Sequence, residues 1–220
     1  MDYTDSPGGS HYTAAVRPFS KFTEFDIALF RAGTHYKLFE KFGSHVLQHE
    51  DTWGTYFSVW APNAKQVSVI GNFNFWNRES HPLFARWDGS GIWEGFIPGI
   101  ESGEVYKYHI LTTENVSLEK GDPFALRWEE PPQTASLVTD TWYEWQDGDW
   151  MSNRHEKNAL NKPMSVYEMH LGSWARDPGN PDRFLSYREI ADRLVPYLID
   201  MNFTHVEFMP LAEHPYGGSW

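Results

Sequence analysis

The side chains of this 220-residue sequence best suited to chemistry gather in its last third. They are Glu168 and Glu207, the closely spaced His205 and Glu207, and the closing run Leu-Ala-Glu-His-Pro-Tyr-Gly-Gly-Ser-Trp over 211–220. Two carboxylates that face one another can divide the work of nucleophile and general acid/base. The closing run is dense in side chains that can line a sugar site, with His214 to meet hydroxyl groups and Trp220 to offer a flat apolar face.

The elements that carry these residues decide between the two groups. Residues 204–209 form a short, mostly apolar run closed by Pro210, the pattern of a strand covered on both sides, and 164–170 read the same way. Between them 186–201 has helical spacing, with Ile190, Leu194, Tyr197, Leu198 and Met201 on one face. A β-α-β unit follows, with parallel strands joined by a right-handed crossover. In α/β barrels the reacting groups stand at the carboxyl ends of strands and in the loops beyond, whereas a carboxylate within a strand can be held by interior hydrogen bonds. Glu168 and Glu207 lie within the strands and are assigned no catalytic role. The 211–220 loop is in the right place for one corner of an active face.

Metal and nucleotide chemistry find little to stand on. His205 and Glu207 have His-x-Glu spacing, and His45 and His49 are four apart, but neither pair has a third ligand at a convincing distance. The sequence holds no glycine-rich phosphate loop before a lysine and no Gly-x-Ser-x-Gly elbow. No metal and no cofactor are expected.

Upstream the periodicity is that of strands. Residues 56–60 alternate and stop at Pro62-Asn63-Ala64, 67–70 resume, and Gly71-Asn72 breaks the pattern again. Further strands are expected over 91–97, closed by Pro98-Gly99, and over 105–112. Short strands spaced by turns point to a β-sandwich. Ahead of it, Thr23 is placed to cap a short helix with Phe25, Ile27, Leu29 and Phe30 on its apolar side and Glu24 and Asp26 in the first turn, a plug for the next domain. Residues 142–161 are polar and charged enough for a linker. The expected organisation is a disordered tail over 1–22, a helix and sandwich over 23–150, and a linker with the start of a barrel over 151–220.

Composition narrows the ligand class. A formal charge of −12 and an isoelectric point near 5.2 argue against nucleic acid, whose binding rests on clustered Lys and Arg. Zero cysteines exclude a disulfide framework, residues 1–10 lack the apolar segment of a signal peptide, and no apolar run reaches the roughly 18 residues of a membrane span. A cytoplasmic protein with a neutral ligand and no membrane or nucleic-acid partner is expected. Aromatic residues make up 17% of the chain. Such rings either fill a β-rich core or stack on the C–H face of a sugar, and both uses are open here.

The motifs then carry a resemblance. Gly33-Thr34-His35-Tyr36-Lys37-Leu38-Phe39-Glu40-Lys41-Phe42-Gly43, Phe57-Ser58-Val59-Trp60-Ala61-Pro62-Asn63-Ala64, Gly71-Asn72-Phe73-Asn74-Phe75-Trp76, Tyr167-Glu168-Met169-His170-Leu171-Gly172-Ser173-Trp174 and Glu213-His214-Pro215-Tyr216-Gly217-Gly218-Ser219-Trp220 together resemble the amino-terminal part of bacterial glycogen branching enzymes, over roughly residues 24–220. The resemblance implies an all-β, immunoglobulin-like β-sandwich of the family-48 carbohydrate-binding type, followed by the first β-α-β unit of a (β/α)8 TIM barrel of the α-amylase superfamily, incomplete at residue 220. It implies an enzyme that cleaves α-1,4-glucan and transfers the cut chain to a 6-hydroxyl, through two carboxyl groups about 5 to 5.5 Å apart. Those carboxylates are expected beyond residue 220. It implies α-glucan contacts for Trp76, Lys107, His214 and Trp220. The chain departs from glucan-binding relatives of the module in having no second stacking tryptophan near Val116 and Ser117. A non-catalytic α-glucan-binding or scaffold protein is the alternative reading.

Overall fold

The computed structural model describes residues 15–211, which fall into two compact units, one ending at Trp142 and the other starting at Tyr143. In the first, helix α1 (Glu24–Arg31) precedes nine strands: β1 (Gly43–His49), β2 (Thr52–Trp60), β3 (Ala64–Gly71), β4 (Phe84–Ala85), β5 (Ile92–Pro98), β6 (Val105–Thr112), β7 (Ser117–Lys120), β8 (Arg127–Trp128) and β9 (Ser136–Leu137). They form two antiparallel sheets. One has the order β1-β2-β5-β4, and the other has β3-β6-β9-β8 with β7 also on β6.

The sheets share a core in which Phe57 and Val59 of β2 and Ile97 of β5 meet Val67 and Val69 of β3 and Tyr106 and Tyr108 of β6. The Phe57 and Tyr106 rings pack edge to face at 5.0 Å, and the Tyr108 hydroxyl oxygen reaches to 3.2 Å from the Ser58 carbonyl of the other sheet. The strands expected over 56–60, 67–70, 91–97 and 105–112 are thus present, and the first unit is a β-sandwich.

β2 is buried over six consecutive residues, Gly54 to Val59, so both its faces are covered. The outer cover comes from the amino-terminal segment. Thr23 and Asp26 close a capping box on α1, with the Thr23 amide donating to Asp26 Oδ2 at 2.8 Å and the Asp26 amide to Thr23 Oγ1 at 3.2 Å. Asp26 also receives Lys41 Nζ at 2.8 Å and lies 3.0 Å from His35 Nε2. Ile27 packs with Phe22, Phe42 and Ile92, which makes α1 the expected plug.

Two expectations change here. Phe25, placed on the apolar side of α1, is 70% exposed, because Ile27 and Phe30, three apart, define the packed face and Phe25 points away from it. Within the tail expected over 1–22, residues 17–22 are tied to the sandwich. Arg17 exchanges backbone hydrogen bonds with Phe96 at 2.7 and 2.9 Å, the Phe19 ring meets Tyr56 at 5.5 Å, and Phe22 is buried.

The second unit contains α2 (Gly148–Lys157), β10 (Val166–Met169), the short α3 (Leu171–Trp174), the hairpin β11 (Arg176–Asp177) and β12 (Asn180–Phe184), α4 (Tyr187–Asp200) and β13 (His205–Phe208). β10 and β13 pair in parallel, as the β-α-β pattern predicts. Ser186 and Glu189 close a capping box on α4. Ile190 and Leu194 of its expected face are buried with Met169 and Leu185, and Leu198 packs against them, whereas Met201, at the helix cap, is exposed. Helix α2 lies in the segment expected as a linker. It buries no residue, which is why hydrophobic periodicity gave no sign of it.

Candidate glucan-binding site

The expected site residues divide by place. His214 and Trp220 lie outside the described residues. Trp76 and Lys107 both belong to one end of the β3–β6 pair. Gly71, the last residue of β3, is opposite Tyr106, and Ile70 is opposite Lys107. The Trp76 amide returns to the Gly71 carbonyl at 2.9 Å, so the chain that leaves β3 loops back onto the strand end next to Lys107.

The loop is held by Asn74. This side chain is buried, and its Oδ1 accepts from the Gly71 amide at 3.0 Å. Its Nδ2 lies 2.9 Å from the Val69 carbonyl and 2.9 Å from both Ser80 Oγ and His81 Nδ1. Phe73 points inward to the sandwich core. Gly71 is extended, so its backbone would suit any residue. The constraint there is space, since a β-carbon would lie 2.2 Å from the Val105 carbonyl oxygen.

Phe75 and Trp76 follow in the left-handed region, with φ of 54° and 60°. Two consecutive non-glycine residues there cost about 1–3 kcal/mol each and persist only where the surroundings impose them. The result is a Phe75 ring that is 70% exposed and a partly buried Trp76 whose Nε1–H donates to Asn72 Oδ1 at 2.9 Å. Beyond it Arg78 is paired with Glu119 of β7 at 2.6 Å, which moors the loop to the second sheet. The core residues Tyr106 and Tyr108 flank Lys107, so strand alternation sends Lys107 to the outer face, where its Nζ donates to Thr134 Oγ1 at 2.7 Å. A flat ring and a cation presented at the same end of a strand pair can between them stack on a sugar and hydrogen-bond its hydroxyls.

The sequence motif Gly-Asn-Phe-Asn-Phe-Trp marked the turn, but the bracing by Asn74 was not read from it. In the second unit Glu168 and Glu207 are direct register partners on β10 and β13, so they share a face, and both are exposed. Among the described residues no three His, Cys, Asp or Glu side chains cluster as metal ligands, and no helix is long and apolar enough to cross a membrane.

These features define a class before they define a relative. Residues 41–125, the stretch of the sandwich that holds Trp76 and Lys107, match the carbohydrate-binding module 48 (isoamylase N-terminal domain). The chain as a whole is a relative of 1,4-alpha-glucan branching enzymes, as its motifs indicated. It is 47% identical over 222 residues to the 1,4-alpha-glucan branching enzyme GlgB of Thermosynechococcus vestitus, covering 91% of this chain and 29% of that protein. With the enzyme of the same name from Albidiferax ferrireducens it is 50% identical over 199 residues, covering 90% of this chain and 31% of that protein. The chain thus spans less than a third of the length of these relatives. Among solved structures, the pullulanase of Klebsiella pneumoniae complexed with maltotriose is similar with a TM-score of 0.48 and 22% identity, over 77% of this chain and 17% of that one.

Proposed function

We propose that this chain is the amino-terminal part of a glycogen branching enzyme, which cleaves α-1,4-glucan and transfers the cut segment to a 6-hydroxyl to make α-1,6 branches. The observation that supports this best is the strained Phe75-Trp76 turn next to Lys107, on a module whose relatives carry glucan-branching names. In this reading the module holds α-glucan through Trp76 and Lys107, and His214 and Trp220 contribute from the loop after β13. The β10–α4–β13 segment is the opening of a (β/α)8 barrel, with the domain division near residue 150 and a cytoplasmic location. The exposed apolar side chains of Val166, Val195, Ile199 and Phe208 suit surfaces that further barrel elements would cover. The retaining chemistry belongs to carboxylates on later strands, not to Glu168 or Glu207.

A chimera tests this reading. The chain, substituted for the matching region of the Thermosynechococcus enzyme, is expected to lower the iodine absorbance of amylose as branches form. In the same chimera Trp76→Ala should weaken retention on glycogen about three- to tenfold, the loss that about 0.5–1.5 kcal/mol of ring stacking implies. Its melting temperature should change little, since the ring is not in the core cluster. A folded chimera without branching activity would refute the enzyme assignment and leave the alternative, a non-catalytic glucan-binding module. A large fall in stability for Trp76→Ala would make that ring a packing residue.

A further inference from the structure

A second aromatic ring of the first unit is presented to solvent on a frame more rigid than its exposure requires. Trp87, in the turn between β4 and β5, is 83% exposed. Both its neighbours are fixed. The Arg86 side chain is largely covered, with its guanidinium 3.0 Å from Asp88 Oδ2 and 2.6 Å from Glu94 Oε1. Glu94 in turn accepts from the buried Tyr56 hydroxyl at 2.6 Å. Asp88 Oδ1 receives the Ser90 amide at 2.9 Å, and the Asp88 carbonyl accepts from the Arg31 guanidinium of α1. The turn is therefore locked at residues 86 and 88 while residue 87 holds an indole in water.

That indole borders a cleft of 240 Å³ between the turn and α1, whose helix side is formed by Glu24, Ile27, Ala28 and Arg31. The cleft is below the roughly 300–1,000 Å³ usual for drug-sized ligands, which suits a ring or two of a longer chain. Its charges are mixed, with Glu24 and Asp88 against Arg31 and Arg86, so neither sign of ligand is selected. Glu24 has no partner among the described residues. A carboxylate to accept from hydroxyls, a guanidinium to donate to oxygens and an indole to meet a C–H face together favour a neutral polyhydroxylated ring.

We infer that the cleft between α1 and the Arg86–Asp88 turn is a second α-glucan subsite, with Trp87 as its stacking ring and Glu24 and Arg31 as its hydrogen-bonding groups. The inference rests on the α-glucan reading of the module. Trp76 follows a strand of one sheet and Trp87 precedes a strand of the other, so the two rings are separate contact points on one rigid body. A branched polymer that engages both gains from effective concentration, whereas a short oligosaccharide does not.

The test uses the 220-residue chain with 15N-labelled tryptophan. Its 11 indole N–H signals are assigned by single Trp→Phe substitutions and followed while maltoheptaose is added. The Trp87 signal is expected to shift saturably, and to do so equally in the Trp76→Ala variant. Trp87→Ala should weaken glycogen retention about three- to tenfold at unchanged melting temperature. A Trp76 signal that moves while Trp87 stays fixed would overturn the second subsite and leave the α-glucan reading intact. A Trp87 shift that disappears in Trp76→Ala would reduce the two contacts to one and also overturn it. If neither signal moves, the α-glucan reading fails and takes this inference with it.

Discussion

Asn74→Ala is expected to cost about 3 kcal/mol of stability and to lower glycogen retention as far as Trp76→Ala does. The buried amide of Asn74 accepts from the Gly71 amide and reaches the Val69 carbonyl, Ser80 and His81, so its removal leaves the Gly71 N–H without a partner in a dry site. An orphaned buried donor costs about 1–3 kcal/mol, and the volume that alanine leaves empty adds to it. The same side chain holds Phe75 and Trp76 in the left-handed region. Without it the turn relaxes to unstrained angles and the Trp76 ring loses its orientation. Stability and binding should therefore fall together in Asn74→Ala, whereas Trp76→Ala should lose binding alone. Thermal unfolding and glycogen affinity electrophoresis on both variants read this difference. A stable Asn74→Ala protein with normal retention would show that the turn holds itself.

What was legible in the sequence follows from where a single physical signal dominates. β6 was read at its observed bounds, 105–112, because an alternating strand between turn residues leaves little freedom. α1 is legible from the Thr23 cap and the acidic residues of its first turn, and α4 from the apolar face that repeats along it. α2 was not, since a helix that buries nothing has no hydrophobic period to detect. Phe25 is not legible from its type, since an apolar side chain does not by itself fix which side of a helix packs. A motif singles out Trp76 in the sequence, whereas Trp87 is there one ring among many in an aromatic-rich chain. Its exposure depends on the Arg86–Glu94–Tyr56 network, whose members come from three places in the sequence and meet only in the fold.

Asp122 shows the same limit at the core, and its replacement has a comparably large expected effect. Its carboxylate is fully buried, accepting from the Tyr106 hydroxyl at 2.7 Å, the Tyr108 hydroxyl at 3.0 Å and the Phe124 amide at 2.8 Å. Its own amide donates to Ser136 Oγ at 2.9 Å, which binds the 120s segment to β9. In Asp122→Ala the Tyr108 hydroxyl can turn to the Ser58 carbonyl, 3.2 Å away, but the Tyr106 hydroxyl and the Phe124 amide lose the carboxylate they donate to. At about 1–3 kcal/mol for each orphan, a loss of about 3–5 kcal/mol is expected. Asp122→Asn should cost less, since its oxygen keeps part of the network while its amide meets a donor. The pH dependence separates the two substitutions further. Burial pushes the Asp122 carboxyl above its ordinary value, against the pull of the donors from Tyr106, Phe124 and Tyr108. An acid whose folded pKa exceeds its unfolded one favours folding when protonated, so wild-type stability should rise relative to Asp122→Asn as pH falls from neutrality through the folded pKa towards the unfolded value near 3.9. Urea unfolding of both proteins between pH 7 and pH 4 measures that difference. If it stays constant or shrinks as acid is added, Asp122 is not a carboxyl held against its burial, and the cost of Asp122→Ala must come from packing alone.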